Sequence, residues 1–90
     1  MYAIIYAPRA VEDLLRLQRS EPAAYKKASI FIEELKEHPT TGTGHPEPLR
    51  GDRAGQWSRH ISKKHRLIYE IRETEVVVLV LTAYGHYDDK

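Results

Sequence analysis

Four side chains of this sequence could together cleave a phosphodiester bond. Glu47 lies in a loop rich in glycine and proline, Arg59 and Arg66 lie in strand-like segments, and His86 lies near the carboxyl end. A carboxylate can take a proton from a hydroxyl, an imidazole can give one to a leaving oxygen, and guanidinium groups bind phosphate oxygens. RNA suits this set because its ribose 2′-hydroxyl is an internal nucleophile. The residues therefore allow metal-free RNA cleavage, with Glu47 as base, His86 as acid and both arginines on the phosphate.

Further cations and aromatic side chains could hold the RNA strand. The segment 39–66 contains six Lys or Arg and two acidic residues. The rest of the chain contains eight Lys or Arg and eleven acidic residues. A local basic patch on a protein of net charge +1 indicates an anionic partner, although it also fits a solvated surface. Tyrosines near the acid could stack on bases or donate a hydroxyl. The candidate RNA-binding residues are Arg50, Arg59, Lys63, Lys64 and Tyr84, and Tyr87 joins the catalytic set.

Patterns typical of metal and nucleotide sites are missing. Glu47 and Asp52 are the only acids of the basic segment, too few for a two-metal nuclease. His60 and His65 lie on separate strands with no third ligand nearby in sequence, which disfavours zinc. The chain has no cysteine, which excludes disulfides, thiolate zinc sites and cysteine nucleophiles. We therefore expect no metal and no cofactor.

Two amphipathic helices are predicted in the first half of the chain. A short strand, 2–6, precedes Pro8, which is well placed in the first turn of a helix. A second helix begins after the break at Ser20-Glu21-Pro22. The apolar stripe of the first helix contains Ala10, Leu14 and Leu17, and that of the second contains Ala24, Ala28, Phe31 and Leu35. On the first helix, a polar face is formed by Glu12, Asp13, Arg16 and Arg19. We interpret both stripes as core and assign neither helix a site.

The second half predicts strands. Segments 57–61 and 65–71 alternate in polarity, and 76–83 is apolar except at Thr82. That last segment is expected to be covered on both faces, at or next to the centre of the sheet. The order predicts an α+β fold: an N-terminal strand, a helical hairpin, then three to four mainly antiparallel strands. The sheet face away from the helices is free to carry the site.

Length and composition fit one small domain, 1–90. Ninety residues leave no room for two domains, and 41% apolar with 30% charged residues is ordinary globular composition. No signal peptide and no long apolar run is seen. A soluble protein of the cytoplasm is expected.

Three ordered motifs and a closing dipeptide give the sequence a recognisable signature. They are GTGHPEPLR at 42–50, GQWSRHI at 55–61, HRLIY at 65–69 and His86-Tyr87. Together they resemble the YoeB/Txe family of bacterial toxins, within the RelE/ParE superfamily. The resemblance implies the RelE-like microbial RNase fold.

The resemblance also implies a function: a ribosome-dependent, metal-independent mRNA endoribonuclease acting as the toxin of a type II toxin–antitoxin pair. By motif, Glu47 corresponds to the family's base, Arg66 to its phosphate-stabilising arginine, His86 to its acid and Tyr87 to the tyrosine lining the site. Arg50 stands where the family usually has a lysine. The implied partners are the ribosome, mRNA and an antitoxin with an acidic, partly disordered C-terminal segment, and family members are commonly homodimers.

This sequence departs from the family pattern near its end. Ala83-Tyr84-Gly85 stands where the family often has an arginine, and Asp88-Asp89-Lys90 extends beyond the usual terminus. One phosphate contact would then be lost or replaced by stacking. Two alternatives stay open: a ParE-like toxin that binds a protein target, and an RNA-binding module that does not cleave.

Overall fold

The computed structural model describes residues 1–85. His86, Tyr87 and the segment 88–90 lie outside the described residues. Two helices and five strands follow one another in the order β1 Ala3–Tyr6, α1 Pro8–Ser20, α2 Pro22–Leu35, β2 Glu47–Pro48, β3 Gln56–His60, β4 Arg66–Arg72 and β5 Val77–Thr82, with a short 3₁₀ turn at Gly51–Arg53. None of the helices in residues 1–85 is long and apolar enough to cross a membrane.

The strands form one mixed sheet in the order β1-β5-β4-β3-β2. Strand β1 runs parallel to β5, and the other neighbours are antiparallel. The predicted α+β fold is therefore confirmed, with β5 next to the central strand β4. The expectation that β5 is covered on both faces is wrong. Val78 and Val80, on the face toward the helices, are buried, whereas Leu79 and Leu81, on the opposite face, are only half-buried. The helices cover one face alone.

The core lies between the helical hairpin and the sheet. Each helix has a proline in its first turn, where the missing N–H leaves no hydrogen bond unmade. Both apolar stripes face the sheet, as predicted, whereas Val11 and Leu15 beside the first stripe are about half exposed. The buried core consists of Ala10, Leu17, Ala24, Ala28, Phe31, Ile32, Leu35, Ile61, Leu67, Tyr69, Val78, Val80 and Ala83.

Asp13 does not lie on the polar face of α1. Its side chain is buried, and its Oδ2 accepts a hydrogen bond of 2.9 Å from the backbone N–H of Ala83. Ala83 follows the last residue of β5, so its buried N–H needs an acceptor other than a neighbouring strand. The carboxylate of α1 therefore fixes the chain as it leaves the sheet.

Strand alternation decides which side chains reach the open face. On β3, Trp57 packs against the core, so Ser58 and His60 point to the opposite face. His60 pairs with Arg66 of β4, and Ser58 pairs with Glu47 of β2. The sheet thereby brings the side chains of Glu47, His60 and Arg66 to one end of its open face.

Candidate functional site

Glu47 and His60 form a solvent-accessible pair. The Nε2 atom of His60 lies 3.3 Å from Oε1 of Glu47, and the two side chains are 42% and 59% exposed. Strand β2 is only two residues long, but its pairing with β3 sets the position of the Glu47 backbone. The ring of His45 lies 5.8 Å from that of His60. A carboxylate with access to solvent and an imidazole beside it can accept a proton from a bound hydroxyl.

Arg66 occupies the first position of β4, beside His60. Its Nη1 donates to the backbone carbonyls of Ser62, at 2.8 Å, and His65, at 3.3 Å. Within residues 1–85 its Nε and Nη2 make no hydrogen bond, and the side chain is half-buried. The guanidinium group is thus oriented by the turn between β3 and β4 with N–H donors left over, which suits it to bind a phosphate.

The C-terminal segment reaches the site at Arg66. The backbone N–H of Arg66 donates to the carbonyl of Gly85 at 2.9 Å. Glu47, His60, Arg66 and Gly85 therefore follow one another across β2, β3, β4 and the chain beyond β5. His86 and Tyr87 come directly after Gly85 in sequence and lie outside the described residues.

Arg59 is fully buried, which corrects the prediction that it contacts phosphate. It shares the core face of β3 with Trp57, because the two residues are two apart on a strand. All five of its N–H donors point into the protein: they reach the Tyr69 hydroxyl, a Glu34 carboxylate oxygen, and the backbone carbonyls of His38, Thr41 and Thr43. Its charge stabilises the fold rather than a ligand.

Glu34 completes the environment of Arg59. Its Oε1 lies 2.6 Å from Nη1 of Arg59, and it also accepts hydrogen bonds from the backbone N–H and the hydroxyl of Thr43. Burial alone would raise the pKa of Glu34, but the hydrogen bonds from Thr43 and Arg59 and the charge of Arg59 outweigh it and hold that pKa below its ordinary value. The ionised pair ties the loop after α2 to both helix and sheet.

Two glycines let that loop lie against α2. Gly42 and Gly44 have φ angles of +116° and +82°, which favour glycine. A Cβ atom on Gly44 would come within 2.6 Å of the Phe31 ring, and one on Gly42 within 2.6 Å of the Glu34 carboxylate. The backbone carbonyl of Gly44 then accepts from the N–H of His60 at 2.7 Å. The motif 42–44 is therefore a structural connection that leads the chain to Glu47.

The other predicted RNA-binding residues have mixed placements. Arg50, Lys63 and Lys64 are exposed, as expected of residues that meet a large anion, and Lys64 Nζ lies 3.8 Å from a Glu21 oxygen. Tyr84 is half-buried. Its ring centroid is 4.0 Å from the guanidinium carbon of Arg16 and 4.2 Å from the His65 ring centroid. Stacking on a base would have to compete with these contacts.

Sequence reasoning missed His60 and His65 as members of this region. The alternation that places Trp57 in the core also directs His60 to the open face with Arg66. The position of His60 could therefore have been predicted from the strand pattern. His65 gave no such signal, because its contacts are with Glu21, 44 residues earlier, and Gly85, 20 residues later. In residues 1–85 no group of three or more His, Asp or Glu side chains could hold a metal ion.

Comparison with known proteins places this geometry in a family. The model of the YoeB-like toxin of bacterial type II toxin–antitoxin systems matches residues 6–87. "Toxin YoeB" of Mycobacterium bovis is 36% identical over 87 residues, which is 97% of this chain and 100% of the relative. A YoeB/ParE toxin from Agrobacterium tumefaciens superposes with a TM-score of 0.88 at 32% identity, covering 94% of this chain and 99% of the other. A YoeB–YefM complex from Staphylococcus aureus gives 0.81 at 26% identity, covering 97% and 99%.

Proposed function

The chain belongs to the YoeB-like toxin family of bacterial type II toxin–antitoxin systems, and on that premise we propose that it is a metal-independent endoribonuclease that cleaves mRNA on the ribosome. The observation that supports this most is the succession of Glu47, His60, Arg66 and Gly85 across one end of the open face. This succession supports Glu47 as the base and Arg66 as the phosphate-binding cation, and Gly85 is the residue that precedes the proposed acid in sequence.

The proposed reaction is an internal transfer within the RNA. The ribose 2′-oxygen attacks the adjacent phosphorus and gives its proton to the Glu47 carboxylate. Arg66 binds the phosphate oxygens, on which negative charge grows. The bond from phosphorus to the 5′-oxygen breaks, and that oxygen receives a proton from His86. The products are a 2′,3′-cyclic phosphate and a 5′-hydroxyl. Tyr87 is assigned to the same catalytic set, and Arg50, Lys63 and Lys64 are assigned to the RNA strand outside it.

The nucleophile can be tested with a modified substrate. Translating ribosomes are programmed with an mRNA that carries a single 2′-deoxynucleotide on the 5′ side of the scissile phosphate. We expect cleavage of the all-ribose mRNA and none of the deoxy form, since the nucleophile is missing. Fragments should end in a cyclic or 3′-phosphate. Equal cleavage of both substrates, or a 3′-hydroxyl end, would show that water is the nucleophile and refute the proposal.

The catalytic residues can be tested separately from the reaction type. Glu47→Gln and His86→Gln should each lower the single-turnover rate by about 10²-fold, the usual contribution of one positioned base or acid. Arg66→Gln should do the same through lost stabilisation of charge on the phosphate. Glu75→Gln is the matched control, because Glu75 is exposed in the turn at the opposite end of β4. Full activity of the Glu47 and His86 variants would overturn the residue assignment.

We also propose that an acidic, partly disordered segment of an antitoxin inhibits the protein by covering this cationic site. Exposed Lys63 and Lys64 lie in the turn between β3 and β4, just before Arg66, and exposed Arg50 follows β2; these cations would attract such a segment. The protein encoded beside this gene should abolish cleavage when mixed with the toxin, and its affinity should fall with salt. Binding without inhibition would place the antitoxin elsewhere on the protein and refute this proposal.

A further inference from the structure

We propose that His65 is a positioning residue, which holds Gly85 in place through its neutral Nε2–H tautomer and so sets where the chain continues to the proposed acid His86. This inference rests on the proposed function for its catalytic consequence, but not for its structural content. His65 touches no substrate in this scheme. It acts on the reaction through the backbone of Gly85.

The tautomer follows from the partners of the two ring nitrogens. Nδ1 of His65 lies 2.9 Å from the backbone nitrogen of Gly85, and Nε2 lies 2.9 Å from Oε2 of Glu21. A backbone N–H can only donate, so Nδ1 must be the acceptor and carry no proton. The ring proton is then on Nε2, where it is donated to the Glu21 carboxylate. A doubly protonated ring would set two donors against each other at Gly85.

The surroundings hold the ring in this state and orientation. The His65 side chain is 2% exposed, so water does not compete for either nitrogen. Glu21 sits between α1 and α2, and the hydrogen bond from His65 lowers the pKa of its carboxyl against the opposing effect of burial. An ionised Glu21 can only accept, which agrees with a proton on Nε2.

Both backbone polar groups of Gly85 are bonded to two consecutive residues, His65 just before β4 and Arg66 at its start. Its N–H donates to the His65 ring, and its carbonyl accepts from the N–H of Arg66. The φ angle of Gly85 is +79°, a conformation that favours glycine. Tyr84 packs on the His65 ring just before it. The His65 bond therefore fixes the last described residue before His86, and the same residue is bonded to Arg66, the proposed phosphate ligand.

Two substitutions at His65 separate its two hydrogen bonds. In His65→Asn, the side-chain Oδ1 stands where Nδ1 was and can accept from Gly85, but nothing reaches Glu21. In His65→Gln, the terminal amide stands where Nε2 was and can donate to Glu21, but nothing accepts from Gly85. Each variant loses one bond and leaves a smaller side chain, so each should lose a similar amount of thermal stability.

The first measurement does not depend on catalysis. Amide hydrogen exchange of Gly85 should be slow in the wild type and in His65→Asn, within about 3-fold of each other, and at least about 10-fold faster in His65→Gln. A long-range proton–nitrogen spectrum of the wild type should show the proton on Nε2. A proton on Nδ1, or rapid exchange of the wild-type Gly85 amide, overturns the proposal even if neither variant folds.

The second measurement is the single-turnover cleavage rate on saturating ribosomes. His65→Gln should lower the rate by on the order of 10-fold with unchanged ribosome affinity, because a displaced acid affects the chemical step. His65→Asn should stay within about 3-fold of the wild type. Equal loss in both variants would mean that His65 acts only through stability, and would refute positioning. If the wild type does not cleave, the proposed function fails, while slow Gly85 exchange would still establish the structural part.

Discussion

Helix α2 has a carboxylate at each end, and each one holds a different irregular segment against the sheet. Glu34, in the last turn, binds Arg59 and so fixes the loop 38–45 that leads to Glu47. Glu21, just before the first turn, binds His65 and so fixes residues 84–85. We refer to Glu34 with Arg59 as the loop anchor and to Glu21 with His65 as the tail anchor.

The two anchors differ in strength and in chemistry. Arg59 makes five hydrogen bonds with a permanent charge, and three of them end on loop carbonyls. His65 makes two side-chain hydrogen bonds with a neutral ring whose tautomer matters. The loop anchor therefore stabilises the fold as a whole, whereas the tail anchor sets the direction of a short segment. The proposed base Glu47 thus follows a loop held by many hydrogen bonds, whereas residues 84–85, which precede the proposed acid in sequence, are held by fewer.

Removal of Arg59 should have the largest effect on stability. Arg59→Leu leaves a partly buried Glu34 without its cation and three carbonyls without donors, which is expected to lower the free energy of unfolding by about 3–5 kcal/mol. Urea unfolding followed by circular dichroism measures it. Arg50→Leu is the control, because Arg50 is exposed, and should change stability by less than about 0.5 kcal/mol. If both variants lose the same amount, the loop anchor is not what the geometry indicates.

Substitution of Gly44 should have an intermediate effect on the same loop. In Gly44→Ala the new methyl meets the Phe31 ring and the φ angle of +82° is strained, so a loss of about 1–3 kcal/mol is expected. Gly55→Ala is the matched control, since its φ angle is +91° but nothing lies within 4 Å of the added atom. It should lose only about 1 kcal/mol from the backbone term. Identical losses would mean that contact with α2 contributes nothing.

More of the fold than of the candidate site could be predicted from the sequence. The two helices, their starts at Pro8 and Pro22 and the placement of β5 beside the centre could be predicted, because proline favours the first turn of a helix and apolar periodicity reports burial directly. The same periodicity places Arg59 with Trp57 on one face of β3, whereas the motif around Arg59 favours a phosphate ligand, and the burial of Arg59 agrees with the periodicity. What periodicity could not supply is the partner of a polar side chain. The contacts of Asp13 with Ala83, and of Glu21 with His65, join residues far apart in sequence.

Acid should weaken both anchors, and this is the smallest of the expected effects because both carboxylates are 27% exposed. The pKa values of Glu21 and Glu34 are lowered in the folded protein, from an ordinary 4.5. A lowered pKa stabilises the fold above the unfolded value, and this stabilisation is lost as the pH falls through the folded value. Melting temperatures measured from about pH 7 to about pH 3 should therefore fall less steeply in Glu34→Gln and in Glu21→Gln than in the wild type.

The exposed Glu37 supplies the control for that measurement, and Glu37→Gln should follow the wild-type curve. Amide exchange of Gly85 supplies a second readout, taken as a protection factor because intrinsic exchange itself slows in acid. Glu21→Gln removes the charged acceptor of the His65 ring that holds Gly85, whereas Glu34→Gln acts at the loop anchor. Gly85 protection should therefore fall more in Glu21→Gln than in Glu34→Gln, and an equal fall in both variants would mean that the two anchors are one cooperative unit.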